Sequence, residues 1–284
     1  MIEKILLADS GSGNTQAMVK ALMEIPAIQR SQVTVLHVVK PQAGAEKMAK
    51  SWAEGGEKLA SAISTLELDP SKVNAVLREG DPKSVVCKVA DETNTDLIVM
   101  GSRGLQGLQA ILGNSVSQYV FQLSSHPMLL VKDDLYSIRA IRRILVAIDK
   151  SDSAKANLDV AITLARDIKD SELIFVHSIS NLRKSIQDTI SERPETDPVL
   201  APAIAEAKKY GVKYRCLAPE GKPGARLCEL AADLNVHLMI LGSPDRRPTI
   251  AKGMPDLDRL LGESLSDYVR VYAPCPVLLT RISN

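Results

Sequence analysis

The residues best suited to chemistry follow a short apolar run in the first half of the chain. Met100, Gly101 and Gly104 stand at its end, and nine residues separate Gly104 from Asn114 and Ser115, which begin a helical pattern. Glycines after a buried strand let the backbone turn and let a phosphate approach closely. A serine at a helix start adds a hydroxyl, N–H groups and the positive end of the helix dipole. The spacing therefore predicts either a phosphate site or an ordinary strand–turn–helix connection with an N-cap serine.

The chain is an internal repeat of two halves. The clearest matches pair residues 4–8 with 143–147, 35–39 with 175–179, 97–102 with 238–243, and 115–120 with 264–269. The offset between the halves rises from 141 to 149 residues in the last two pairs, which places an eight-residue insertion between Ser243 and Ser264. A period this long predicts two whole domains rather than a solenoid, one over residues 1–135 and one over residues 140–284.

Short apolar runs alternate with helical patterns in each half. In the first half the predicted strands are 4–9, 32–39, 73–78, 96–101 and 127–132, and the predicted helices lie near 14–25, 45–66, 82–94 and 115–124. Strands that are apolar on both faces predict a parallel sheet covered by helices on both sides. The expected fold class is therefore α/β, with two tandem doubly wound domains. Such sheets bind ligands beyond the carboxyl ends of the strands, where the strand order reverses.

Composition excludes several classes of function. The 284 residues are 45% hydrophobic and 24% charged, as in an ordinary globular protein. Because 35 basic residues face 34 acidic ones, no net field attracts nucleic acid or an anionic membrane. Aromatic residues make up only 3%, which disfavours base stacking. No apolar run approaches the length of a membrane span, no secretory signal is recognisable and no CxxC spacing occurs, so we expect a cytoplasmic protein with reduced cysteines.

The loop after the fourth predicted strand resembles the nucleotide-binding loop of universal stress proteins. That signature is Gly, two residues, Gly, nine residues, Gly, then Ser or Thr. Gly101, Gly104 and Ser115 reproduce it, and Asn114 stands in place of the third glycine. Asparagine tolerates a positive φ better than most residues, so the loop can keep its shape. The resemblance covers the chain twice, as in tandem members of the family, and the first half is similar to tandem proteins of cyanobacteria.

The resemblance implies a strand order of 3-2-1-4-5 in each half and an adenine nucleotide, ATP or AMP, in the first half, with Mg²⁺ accompanying ATP. The implied binding residues are Asp9, Ser10, Val38, Met100, Gly101, Arg103, Gly104, Asn114, Ser115 and Val116. The aspartate that bonds adenine in the family aligns without gaps with Ser10, whereas Asp9 lies one position earlier. Either residue is therefore expected to contact the base.

The second half departs from the signature where the phosphates would lie. Asp245 and Glu263 occupy the positions of the second and third glycines, and Ser178 replaces Val38. A carboxylate about 5 Å from a phosphate costs on the order of 1 kcal/mol or more. Glu263, near a helix start, instead suits the helix dipole as an internal anion. The second half is therefore expected to carry a degenerate nucleotide motif.

No set of nucleophile, base and orienting residue can be assembled from these motifs. We therefore expect a stress-response regulator or adapter with at most weak ATP hydrolysis, rather than an enzyme. Two alternatives stay open: a stress scaffold without nucleotide that works through protein or small apolar ligand contacts of the second half, and an enzyme of the wider adenine-nucleotide α/β group. The tandem arrangement also implies an intramolecular pseudo-dimer of the two domains, with a homodimer of chains as a further possibility.

Overall fold

The apolar runs of both halves fold into parallel strands. The structure is a computed structural model, and it describes residues 2–9, 13–102, 115–132, 140–178, 194–243 and 264–281. The chain divides into two units, Met1–Arg139 and Ala140–Asn284. Each unit has its own sheet and its own helices.

The first half contains one five-stranded sheet. Its strands are β1 (Lys4–Ala8), β2 (Gln32–Val39), β3 (Val73–Glu79), β4 (Leu97–Ser102) and β5 (Met128–Lys132). Its helices are α1 (Gly13–Met23), α2 (Ala45–Leu66), α3 (Pro82–Thr93) and α4 (Val116–Leu123). All the strand pairs are parallel, and the order is β3-β2-β1-β4-β5, so the predicted order is confirmed. Right-handed crossovers place α1 and α2 on one face and α3 and α4 on the other.

The second half repeats this arrangement. Its strands are β6 (Arg143–Ala147), β7 (Glu172–Val176), β8 (Lys213–Leu217), β9 (Leu238–Gly242) and β10 (Val277–Thr280). Its helices are α5 (Asp152–Ala165), α6 (Ala201–Lys209), α7 (Pro223–Asp233) and α8 (Leu265–Tyr272). The strands are again parallel, in the order β8-β7-β6-β9-β10. The two halves therefore share one topology, as the repeat predicts.

The ends of two matching helices show how closely the halves correspond. Helix α3 begins at Asp81, whose carboxylate accepts a hydrogen bond from the backbone N–H of Lys83, with proline at the first helical position. Helix α7 begins at Lys222, again before a proline, but its side chain makes no cap bond. Both helices are followed by an asparagine with φ of 47°, Asn94 and Asn235, a conformation that asparagine adopts readily.

At the amino end of each sheet, one side chain accepts hydrogen bonds from two backbone N–H groups. The residue that does so differs between the halves. Asp96 accepts hydrogen bonds from the backbone N–H groups of Glu3 at 2.8 Å and Lys4 at 2.9 Å. At the equivalent position in the second half, Nδ1 of His237 accepts from the backbone N–H groups of Arg142 and Arg143, each at 3.1 Å. Burial lowers the pKa of His237, and the charges of Arg143 and Arg142 lower it further. The second half therefore depends on a neutral histidine here.

Candidate functional site

Strand β1 lies between β2 and β4, so the strand order of the first half reverses beside it. Ala8, the last residue of β1, pairs with Leu36 of β2 and with Met100 of β4. Asp9 follows β1 directly, Val38 lies near the end of β2, and Gly101 follows Met100 within β4. The structure therefore brings four of the predicted binding residues, Asp9, Val38, Met100 and Gly101, to one edge of the sheet.

Asp9 is fixed at this edge by hydrogen bonds. Its backbone N–H donates to the carbonyl oxygen of Leu36 at 3.0 Å. Nε2 of Gln16, in the first turns of α1, donates to Oδ1 of Asp9 at 3.2 Å, and both side chains are buried. The neutral Gln16 amide therefore orients the Asp9 carboxylate without adding a charge. Ser10, the alternative adenine contact, lies outside the described residues.

Ser115 and Val116 form the start of α4. Ser115 is the N-cap residue, with φ of −71° and ψ of 124°, and its side chain makes no cap hydrogen bond. Its Oγ lies 3.0 Å from Oγ of Ser117 in the first turn. The first N–H groups of a helix have no partner within the helix and carry the positive end of its dipole. Arg103, Gly104 and Asn114 lie outside the described residues, so their positions stay predictions.

The matching helix start in the second half has a side-chain cap. Ser264 is the N-cap residue of α8, and its Oγ accepts a hydrogen bond from the backbone N–H of Asp267 at 3.2 Å. The same hydroxyl donates to Oδ2 of Asp267 at 2.6 Å. Asp267 is only 1% exposed, and its Oδ1 lies 3.8 Å from Nε of the buried Arg270. A buried carboxylate of the chain therefore bonds the N-cap serine at this helix start.

Asp267 was missed by the sequence reasoning, which assigned the internal anion to Glu263. Glu263 and Asp245 lie outside the described residues. The signal for Asp267 was nevertheless present, since a serine followed three residues later by an aspartate or glutamate is a known pattern of helix starts. The first half has Gln118 in this position, so it offers an amide where the second half has a charge.

The turn after β6 is also closed by internal bonds. Oδ1 of Asp149, the aligned counterpart of Ser10, accepts hydrogen bonds from the backbone N–H of Ser151 at 2.9 Å and from the Ser151 hydroxyl. Gly242, the counterpart of Gly101, faces Ser153 so closely that an added Cβ would lie 2.3 Å from the serine Oγ. In the second half this glycine therefore makes room for a neighbouring side chain.

We next consider which described residues could hold a metal or act as nucleophiles. No cluster of three or more His, Cys, Asp or Glu side chains with metal-binding geometry occurs among the residues that the structure describes. Burial raises the pKa of Cys87 to about 11, and burial raises the pKa of Cys216 to about 11 as well. Thiols with such pKa values are poor nucleophiles near neutral pH. Over the same described residues, no helix is both long and apolar enough to cross a membrane.

His177 forms a side-chain pair with Asp197 near the end of β7. Its Nδ1 lies 2.5 Å from Oδ2 of Asp197, which also accepts a hydrogen bond from the backbone N–H of Val199 at 2.8 Å. His177 stands one residue beyond β7, not within the strand. The pair ties the segment before α6 to the end of β7, which is a structural task.

Comparison with known proteins agrees with the repeat. The model of the universal stress protein family matches residues 1–132 and again residues 140–281. A universal stress protein of Bacillus subtilis (strain 168) is 25% identical over 148 residues, covering 46% of this chain and all of that protein. One from Synechocystis sp. is 29% identical over 135 residues, covering 46% of this chain and 86% of that protein. Each of these relatives therefore corresponds to one half.

A solved structure also resembles the whole chain. The universal stress protein from Archaeoglobus fulgidus DSM 4304 matches with a TM-score of 0.75 and 21% identity, covering 99% of this chain and 97% of that chain. At this level of identity the likeness establishes the fold alone. The site must be argued from the residues at the sheet edge.

Proposed function

Because the chain belongs to the universal stress protein family, with two tandem domains, we propose that its first half binds an adenine nucleotide, ATP or AMP. In this proposal the nucleotide state makes the protein a regulator or adapter of a stress response. The observation that carries the proposal is the start of α4, where Ser115 has no side-chain cap bond and stands next in sequence to the signature loop. The same place in the second half is filled by Asp267.

The phosphates would lie against the N–H groups of the first turn of α4 and the hydroxyl of Ser115. Gly101 and Gly104 would allow close approach of the backbone, and Arg103 would add a positive charge. Val38 and Met100 would face the base and ribose, with Asp9 or Ser10 accepting a hydrogen bond from adenine. Mg²⁺ would arrive with ATP, because the described residues offer no ligand cluster of their own.

Universal stress proteins are generally not enzymes, and we infer at most weak ATP hydrolysis here. Phosphoryl transfer needs carboxylates that hold Mg²⁺ across the phosphates and a group that orients the nucleophile. At the ends of β1, β2 and β4 the described residues include one carboxylate, that of Asp9, and it accepts a bond from Gln16. Binding without efficient turnover suits a protein that responds to nucleotide concentration.

The remaining expectations about the assembly stay predictions. They are a pseudo-dimer of the two domains, a homodimer of chains and a cytoplasmic location. Sedimentation of the full chain at several concentrations would separate a monomer from a dimer of chains.

The direct test of the proposed function is the identity of any small molecule that remains bound through purification. Denaturing the purified full chain and analysing the released fraction by mass spectrometry should reveal AMP or ATP. A Ser115→Ala variant purified in parallel should retain less. Absence of any adenine nucleotide from the wild-type protein, together with no calorimetric response to added ATP or AMP, would contradict the proposal.

A further inference from the structure

The second half contains a cleft that lies apart from the predicted phosphate position. It encloses about 850 Å³ between helices α5 and α6, closed at one end by the turn that follows β6. Its apolar wall includes Ile148, Leu158 and Ala203, all buried, with Pro198 and Pro202 beside them. None of the residues that line it belongs to β9 or α8. The volume falls within the range of about 300–1,000 Å³ typical of small-molecule sites.

The matching helix positions in the first half form bonds within the chain. Gln16, the counterpart of Lys155, is 7% exposed and bonds Asp9. Lys20, the counterpart of Asp159, forms an ion pair of 2.5 Å with Glu67 at the end of α2. In the second half Lys155 and Asp159 are exposed and line the cleft. The same helix positions therefore form internal bonds in one half and line a cleft in the other.

Some of the charged side chains that line the cleft form bonds within the chain, and Lys150 and Lys155 form no ion pair among the described residues. Asp149 accepts two bonds from Ser151, and Lys209 lies 3.2 Å from a carboxylate oxygen of Glu206. At the Lys150 end, two lysines, Lys150 and Lys155, accompany one carboxylate, that of Asp149. At the other end, Asp159 and Glu206 accompany Lys209, so the Lys150 end is the more positive.

We propose that this cleft binds a small amphipathic anion, a compound with a flat or branched hydrocarbon body and one carboxylate or sulfonate group. The hydrocarbon body lies against Ile148, Leu158 and Ala203, where burial of apolar surface supplies most of the affinity. The anionic group lies at the Lys150 and Lys155 end. The proposal does not depend on nucleotide binding by the first half, because the two sites lie in different domains.

Two fluorescent probes with the same aromatic body test the proposal in the full chain. 1-Anilinonaphthalene-8-sulfonate carries one sulfonate, and N-phenyl-1-naphthylamine carries none. Ala205 is exposed on α6 and lines the cleft, so Ala205→Trp fills it. Ala53, exposed on α2 in the first half, provides the matched control Ala53→Trp. A double change, Lys150→Gln with Lys155→Gln, removes the charge while keeping the apolar wall.

The sulfonated probe should bind the wild-type chain at a saturable site, and Ala205→Trp should weaken it by about tenfold or more, whereas Ala53→Trp leaves it unchanged. The lysine double variant should weaken the sulfonated probe roughly threefold to tenfold and leave the uncharged probe unaffected. Equal binding to wild type and Ala205→Trp would overturn the proposal, as would equal losses of both probes in the lysine variant. Displacement of the probe by ATP would likewise overturn it, since the cleft would then be a nucleotide site.

Discussion

Helices α4 and α8 begin at equivalent serines but differ in the side-chain bonds made in the first turn. In the second half Asp267 bonds Ser264 and places a carboxylate at the helix start. In the first half Gln118 stands at that position and Ser115 makes no cap bond. An internal carboxylate satisfies the helix dipole and repels a phosphate at the same time. We therefore expect this one residue of the first turn to decide whether the helix start can accept an anion.

The largest expected effect comes from giving the first half the residue of the second. Gln118→Asp should place a carboxylate within reach of Ser115 and weaken ATP binding by about one to two decades, since about 1.4 kcal/mol corresponds to tenfold. Gln118→Asn is the matched control, because it shortens the side chain equally and adds no charge. Calorimetric titration of both variants checks this. Equal affinities for the two variants would show that charge at this position is irrelevant.

The equivalent residue of the second half, Asp267, tests how much the stability of that half depends on the internal carboxylate. Asp267→Asn keeps an oxygen near Ser264 but leaves the buried Arg270 without the opposite charge that now lies 3.8 Å away. Burial already lowers the pKa of Arg270, while the charge of Asp267 raises it. Unfolding free energy should fall by about 1–3 kcal/mol, and adding Arg270→Met should restore part of it. Denaturant melts that show additive losses would argue against coupling between the two residues.

A smaller effect should identify the adenine contact. Asp9→Asn should lower AMP affinity by roughly threefold to tenfold, as expected for one hydrogen bond, while preserving an acceptor for Gln16. Ser10→Ala should cost less, because Gln16 holds the Asp9 carboxylate at the edge of the sheet. Titration with AMP compares the two. A larger loss in Ser10→Ala would assign the contact to Ser10 instead.

The smallest expected effect concerns His237 and its counterpart Asp96. The pKa of His237 is lowered in the folded protein, so the unfolded chain takes up the proton more readily. The stability that depends on neutral His237 is therefore complete above about pH 6.5 and is lost as the pH falls below that value. His237→Asp copies the first half and should reduce the fall in melting temperature between pH 7 and pH 5. An unchanged pH profile in His237→Asp would exclude this role.

The fold was predictable because strands buried on both faces leave continuous apolar runs. The predicted strand 32–39 and helix 45–66 have the observed bounds of β2 and α2. The predicted strand 4–9 ends at Ala8 instead, and Asp9 follows it with its backbone N–H bonded to Leu36 and its side chain bonded to Gln16. The local hydrophobic pattern therefore predicts the strands and helices, and their exact ends differ by a residue where side-chain bonds intervene.

The site was only partly predictable. Spacing identified Gly101 and Ser115, and the family resemblance added Asp9 and Val38. These strand ends come together because the strands are parallel. The role of Asp267 and the Gln16–Asp9 bond depend on side-chain geometry across a turn, which spacing does not reveal. The cleft between α5 and α6 combines residues from 148–159 with residues from 198–210, and no motif marks it.

Isothermal titration of the full wild-type chain with ATP, read for stoichiometry, tests the central claim most directly. The contrast between Gln118 and Asp267 predicts one nucleotide per chain, with affinity reduced in Gln118→Asp and unchanged in Asp267→Gln. Two nucleotides per chain, or one nucleotide whose affinity is lost in Asp267→Gln and retained in Gln118→Asp, would contradict the assignment of the site to the first half.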